Sequence, residues 1–456
     1  MANKLINKEE PQIKESRKIV DKPLEAVPFN QRQHWFTPAM IFGGLEFSIP
    51  VLMVGSMLVG SFGIKQMFPI LFVAFIVIQW AGNALNGYMG AKTGRASSVL
   101  ARSSFGAAQS RFIVAGVVFI VSLGWWAVQT AVAGNAICAL LGIDYTTNWG
   151  IWAIFTTIIG LIFAIPSIIG YSSMKWTDYI AVPAGLLLVI AGIYLSLKNI
   201  GLETIIAYKP QAQGMTFLGA VSLIVSINVS QWVIAADYTR FARPKIKDNI
   251  LIPLGIIAIG FPLMYVGAIM AIGQGTADIV AVMVTLGFPL WGFVVLWLST
   301  WTSQLVNNYS MGLSLSNLMN IKTSKGRSIS TLVGTLIAIA IALSGILNHF
   351  MDFLYFTALA YPAMAGIMFV DFFIRKQEWN ARNDGWNWMA TIAWISGIII
   401  GYITTYVSPM GLPAVQNLVV AGIVYYVSMK IKAKVAPDQF TPTQFRSQDW
   451  DINSEI

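Results

Sequence analysis

Four sets of polar residues lie inside long apolar stretches of this 456-residue chain, and their types set the chemistry open to it. The first lies in Met40 to Pro50, MIFGGLEFSIP, where Gly43-Gly44 and Pro50 bracket an ionisable Glu46 beside Phe47. In hydrocarbon a helix must satisfy its backbone internally, so a Gly-Gly/Pro interruption persists only where protein or water replaces the lost hydrogen bonds. A carboxylate at that depth costs about 3 kcal/mol or more unless it faces a cavity or a partner. Break and charge together fit a discontinuous helix at a midplane binding site; a packing Gly pair with a snorkelling Glu46 is the plainer reading. The second set is Ser122, Trp125 and Gln129, which share one helix face. A Trp with an amide one turn along can stack on a flat heterocycle and hydrogen-bond its edge, or can simply be packed core. The third, in SLIVSINVSQWVIAADYTRF, is Asn228, Ser230 and Gln231 beside Trp232. The fourth is a hydroxyl cluster, Ser299, Thr302 and Ser303, with Gln304 and Asn308 following one turn apart. Hydroxyls joined by unwound-backbone carbonyls can hold Na⁺ without a carboxylate; hydroxyls also bond back to their own helix.

These sets need elements to position them. Hydrophobic residues make up 56% of the chain and charged residues 11%, with mean hydropathy +0.67, which excludes a soluble globular domain. Twelve stretches are long enough to span a bilayer: 37–62, 68–90, 111–141, 149–169, 176–198, 216–240, 250–273, 288–318, 329–347, 350–374, 387–407 and 412–432. The first 36 residues lack a signal-peptide core and read as a cytoplasmic tail. The net charge of +9 could suggest nucleic acid, but its distribution argues against that partner. With twelve spans, 26 of the 29 Lys and Arg fall on the side of the two tails, and only Lys65, Lys198 and Lys209 lie opposite. That is the positive-inside asymmetry. Gln79, Asn83 and Asn86 share one face of span two and read as helix glue or as part of a substrate path. Lys175 and Asp178 mark the cytoplasmic start of span five. One cysteine, Cys138, and two histidines allow neither an intramolecular disulfide nor a His/Cys metal cluster. No catalytic constellation is present, which argues against an enzyme. A channel would show pore-lining rings rather than one compact polar set.

The basic loop after span two, GAKTGRASSVLARSSFG (90–106), carries a resemblance. Gly90-Ala91-Lys92-Thr93-Gly94, Leu100-Ala101-Arg102 and Ser104-Phe105-Gly106 are very similar to the corresponding loop of the cytosine permeases of nucleobase–cation symporter family 1. Ala236-Asp237 with Arg240-Phe241, Trp301-Thr302-Ser303 and Asp371 support it in the same order along the chain. The resemblance covers the membrane region and not the tails. It implies an all-α polytopic membrane protein with twelve transmembrane helices in a LeuT-type 5+5 inverted repeat. The repeats would be 37–198 and 216–374, with helices one and six broken, two extra helices at 387–432, and tails at 1–36 and 433–456. It implies symport of a planar nucleobase or related heterocycle by alternating access, with Na⁺ as coupling ion and no other cofactor. The setting would be a bacterial inner membrane, with both tails cytoplasmic, lipid around the chain and the monomer as the unit.

Residue by residue, Trp125 falls on the family's stacking aromatic and Gln129 on a substrate amide. Asn308 matches another substrate amide, with Gln304 on the same face. Thr302 and Ser303 fall on the sodium hydroxyls, and Ser299, Gly43 and Phe47 on its carbonyl donors. Ser122 shares the Trp125 face. Asn228 departs from the pattern, standing where the family has a second stacking ring, so that either Trp232 supplies the ring or hydrogen bonds hold that face. Glu46 departs too, replacing a neutral residue. It could pair with an N–H edge of the base or carry a proton that supplements or replaces Na⁺.

Overall fold

The computed structural model describes residues 21–210, 214–272, 278–288, 290–376 and 385–436. Among them the backbone is helical throughout, apart from loops and one isolated bridge between Gln33 and Ala242. Among the described residues, nine helices are long and apolar enough to cross a membrane, and two bent pairs bring this to eleven. The 29-residue helix Leu290–Leu318, which includes side chains outside those described, occupies the place of span eight. At 1.5 Å per residue it reaches about 43 Å, ample for a bilayer.

Span one is interrupted where the Gly43-Gly44 and Pro50 signals put the break. Phe36–Glu46 and Ile49–Leu58 meet at 59°, with Phe47 and Ser48 between them. Span six is interrupted as well, Phe217–Asn228 and Gln231–Thr239 meeting at 42°. No Gly or Pro marks this second break. It falls within the run Asn228 to Gln231, whose side chains are all buried beside a cavity described below. The broken helices are central. Outer helices such as Trp149–Ile169 and Tyr171–Asn199 expose Ile154, Ile165, Leu187 and Ile190, which suits a lipid-facing surface.

Spans one and seven (Ile246–Ala271) pack with their backbones touching. A Cβ on Gly255 would run into the Ala39 carbonyl, one on Gly267 into Leu52, and one on Gly55 into Met264. Small residues permit this approach, the usual means by which membrane helices gain dispersion contact. Span two joins span six through its polar face. Gln79 Nε2 donates to the Val225 carbonyl (2.8 Å), and Asn86 Oδ1 accepts the Ala236 amide (2.8 Å). Asn83 bonds back to Gln79 (2.7 Å).

The described part of the N-terminal tail is strapped beneath the helices. Gln33 takes the Arg243 amide (3.1 Å), and Val27 donates to the Gly94 carbonyl (2.9 Å). Arg32 bonds the Ala91 and Ala242 carbonyls (2.5 and 3.1 Å), and burial with Arg240 nearby pulls its guanidinium down to about 10, still cationic at neutral pH. At the end of the strap, Asp21 Oδ1 accepts from Arg240 Nη2 (2.6 Å) and the Tyr309 hydroxyl (2.7 Å). Its Oδ2 lies 3.6 Å from Arg327 Nε, and Ser324 donates to its carbonyl (3.0 Å). One tail residue thereby ties the ends of spans six, eight and nine. Asp237, three residues before Arg240, instead accepts the Ser97 amide (2.7 Å).

Candidate functional site

Between the two breaks lies a small cavity whose walls include Ser48, Trp125, Gln129, Asn228, Gln231, Ser303 and Asn307. The enclosed space is room for about one water, so the walls must draw apart to admit a ring. Trp125 forms one wall and is held edge-on by Phe350 and Phe353 (centroids 6.3 and 5.3 Å). Several polar atoms at this wall have no hydrogen-bond partner among the described residues: Trp125 Nε1, Asn228 Nδ2, Gln129 Oε1 and Gln231 Oε1. Two donors and two acceptors, buried and unpaired beside an aromatic plane, fit a flat ring that carries both kinds of group. Orphaned buried polar atoms are costly, so a bound ligand is the natural partner.

The structure thus brings Trp125, Gln129, Asn228 and Ser303 together, and adds Ser48, Gln231 and Asn307. It does not bring the remaining sequence candidates to the cavity wall. Trp232 faces span two, where its indole donates to Gln79 Oε1 (3.0 Å) and lies against Gly82, so it is not a second stacking ring here. Gln304 donates to the Thr130 hydroxyl (2.9 Å). Asn308 is committed to Ser167 (2.7 Å) and Thr335 (3.0 Å) in spans four and nine. Ser122 is buried outside the wall. Glu46 is fully buried and turned towards Gly260 and Phe75. Asn228 stands near enough to interact with its carboxylate, though without a hydrogen bond of ordinary geometry.

Helix rotation explains the Asn307 result. Residues four apart share a face, so the amide that shares the cavity with Ser303 is Asn307, whereas Gln304 and Asn308 form the row one step, about 100°, around the helix.

The hydroxyl cluster meets span one at its break. Thr302 Oγ1 lies 3.4 Å from the Gly44 carbonyl. The Gly43 carbonyl accepts the Phe47 amide (3.1 Å) and keeps a second lone pair, and the Gly44 carbonyl beside it is the one that meets Thr302. Phe47 caps the break, its ring packed over Gly185. Ser303 Oγ accepts from Gln129 Nε2 (2.7 Å), which connects the cluster directly to the cavity wall. Of Ser299 only its place on the helix Leu290–Leu318 is described. This donor set, carbonyl plus hydroxyls at a helix end, fits a hard monovalent cation such as Na⁺. Sequence reasoning also placed Asp178 too near the surface. The helix begins at Tyr171, so Asp178 lies about two turns inside it, 1% exposed, against Gly44.

Residues 27–427 match the family described as permeases for cytosine/purines, uracil, thiamine and allantoin. The chain belongs to this family. It is a multi-pass membrane permease for small nucleobase-like molecules and not an enzyme. The cytosine permease of Escherichia coli strain K12 is 27% identical to this permease over 414 residues, covering 88% of this chain and 92% of that protein. Among solved structures, Mhp1, a nucleobase-cation-symport-1 family transporter, in a closed conformation with bromovinylhydantoin bound, has a TM-score of 0.78 at 20% identity, covering 91% of this chain and 96% of that one. The inward-facing conformation of Mhp1 has a TM-score of 0.72 at 20% identity, covering 92% and 96%. This permease shares their LeuT-type fold.

Proposed function

We propose that this permease imports a planar nucleobase or related heterocycle by Na⁺ symport and alternating access. We place it in a bacterial inner membrane as a monomer, with the face carrying both tails turned to the cytoplasm. The observation that carries the reading is the Gln129–Ser303 hydrogen bond, 2.7 Å long, joining an amide of the cavity wall to the hydroxyl cluster at the break in span one. In this reading Trp125 stacks on the ring, and Gln129, Asn228, Gln231 and Asn307 read its edge. A cation held by the Gly44 carbonyl with Thr302 and Ser303 braces the broken helix and fixes the hydroxyl that Gln129 uses. Such coupling is reciprocal: whatever factor Na⁺ adds to base affinity, the base adds to Na⁺ affinity. Cytosine, which names the Escherichia coli relative, and the hydantoin ring held by Mhp1 both fit an aromatic wall with amides.

A second reading couples the same transport to H⁺ through Glu46. It is favoured by that carboxylate's full burial without a hydrogen-bond partner among the described residues, beside Asn228. The test is thermal stabilisation of the purified protein by pyrimidines, purines and hydantoins, each in NaCl and in choline chloride. A ligand of the folded state must raise stability by mass action. Stabilisation that needs Na⁺ supports the first reading. Stabilisation equal in choline, following pH and lost in Glu46→Gln, supports the second. No response to any ring overturns the substrate class.

A further inference from the structure

Span five passes behind the break in span one, and its Asp178 is an unusual group to find there. The side chain is 1% exposed, and neither carboxylate oxygen has a hydrogen-bond or ion-pair partner among the described residues. A Cβ on Gly44 would collide with Asp178 Oδ1 and would sit 3.5 Å from Thr302 Cβ. Glycine at position 44 therefore lets the carboxylate lie against the end of the broken helix, on the side where the Gly44 carbonyl meets the Thr302 hydroxyl (3.4 Å). A buried, unpaired carboxylate must either hold a proton or face a cation, and the Gly44 carbonyl and Thr302 hydroxyl beside Asp178 supply the further oxygens that a cation site needs.

The geometry points to Asp178 as the anionic ligand of the cation site, completing the neutral oxygen set of Gly44, Thr302 and Ser303 with a full negative charge. This rests on the Na⁺-symport reading and adds to it a residue on a third helix. A carboxylate raises the field strength of the site, so the site holds the compact Na⁺ or Li⁺ in preference to K⁺. It also ties span five to spans one and eight whenever the ion is bound, so the ion fixes three helices rather than two.

The test measures cation binding directly, without transport. Purified full-length protein is titrated with NaCl, LiCl and KCl at constant ionic strength made up with choline chloride, and the unfolding temperature is followed. Wild type is expected to be stabilised by Na⁺ and Li⁺ at concentrations where K⁺ has little effect. Asp178→Asn, which keeps the shape and removes the charge, is expected to raise the Na⁺ midpoint at least tenfold and to flatten the preference over K⁺. Base-induced stabilisation at saturating Na⁺ is retained. Asp178→Ser serves as the second variant if the amide does not fold. A wild-type response to Na⁺ with a midpoint unchanged within twofold in the variant overturns the role of Asp178 and leaves the symport reading standing. A wild type indifferent to Na⁺ overturns both.

Discussion

Replacing Asp21 by Asn removes the charge at the centre of the tail-side cluster and little else. Arg240 and Arg327 are both fully buried, and Asp21 is the only carboxylate among the described residues that forms an ion pair with either. Removing one partner of a buried pair costs about 3–5 kcal/mol, because the remaining charge is left without compensation. Asn retains an acceptor for the Tyr309 hydroxyl, which puts the cost near the lower bound, about 3 kcal/mol. The contacts join the tail to spans six, eight and nine, and parting those spans to open this face would break them. The whole cost therefore falls on the closed side of the closed–open equilibrium. At about 1.4 kcal/mol per decade the open fraction rises about a hundredfold, until the open form dominates. The assay places a single cysteine at Ser310, buried one residue beyond Tyr309, in a Cys138→Ser background, and measures maleimide labelling from the tail side. Labelling is expected to accelerate by one to two orders of magnitude in Asp21→Asn. A folded variant that labels within twofold of its parent would refute the idea that this cluster holds the face shut.

Three further outcomes follow from the packing. Asn307→Ala weakens base binding about tenfold in a thermal-shift titration, while Asn308→Ala leaves base affinity unchanged and lowers the unfolding temperature. Asn308 bonds two buried hydroxyls, on Ser167 and Thr335, which keep bonds to their own helices, and losing the two bonds costs about 1–3 kcal/mol in total. Gly255→Ala forces a methyl into the Ala39 carbonyl and destabilises the protein by about 1–3 kcal/mol in chemical denaturation, with no change in base specificity. Glu46→Gln keeps base affinity in NaCl within twofold, as the Na⁺ reading requires, since the side chain points to Gly260 rather than into the cavity; a tenfold loss would count against that reading.

The sequence made the spans legible because their cause is local: a run of apolar residues, interrupted at Gly43-Gly44 and Pro50 where the helix does break. The bend of span six was harder to read. Its 42° kink needs no Gly or Pro, since polar side chains from other helices and the cavity supply its surroundings. Polar residues could be found, but their direction could not always be read. Trp232 turns away because Gln79 and Gly82, some 150 residues earlier, receive its indole. Asn308 and Asn307 differ by one step around a helix, and a single residue of register decides which faces the cavity. Asp178 read as an interfacial charge because hydropathy fades over several residues at a helix start, and only the tertiary contact with Gly44 shows its depth.

The bond between Gln129 and Ser303 also bears on how far such a protein could concentrate its cargo. Under the Na⁺-symport reading, one Ser303 hydroxyl bonded to one wall amide suits one Na⁺ per ring. A tenfold Na⁺ gradient supplies about 1.4 kcal/mol, and moving one charge through 100 mV supplies about 2.3 kcal/mol. Together they would sustain an accumulation of several hundredfold, enough for a cell to strip a scarce heterocycle from dilute surroundings without spending nucleotide triphosphate on the step.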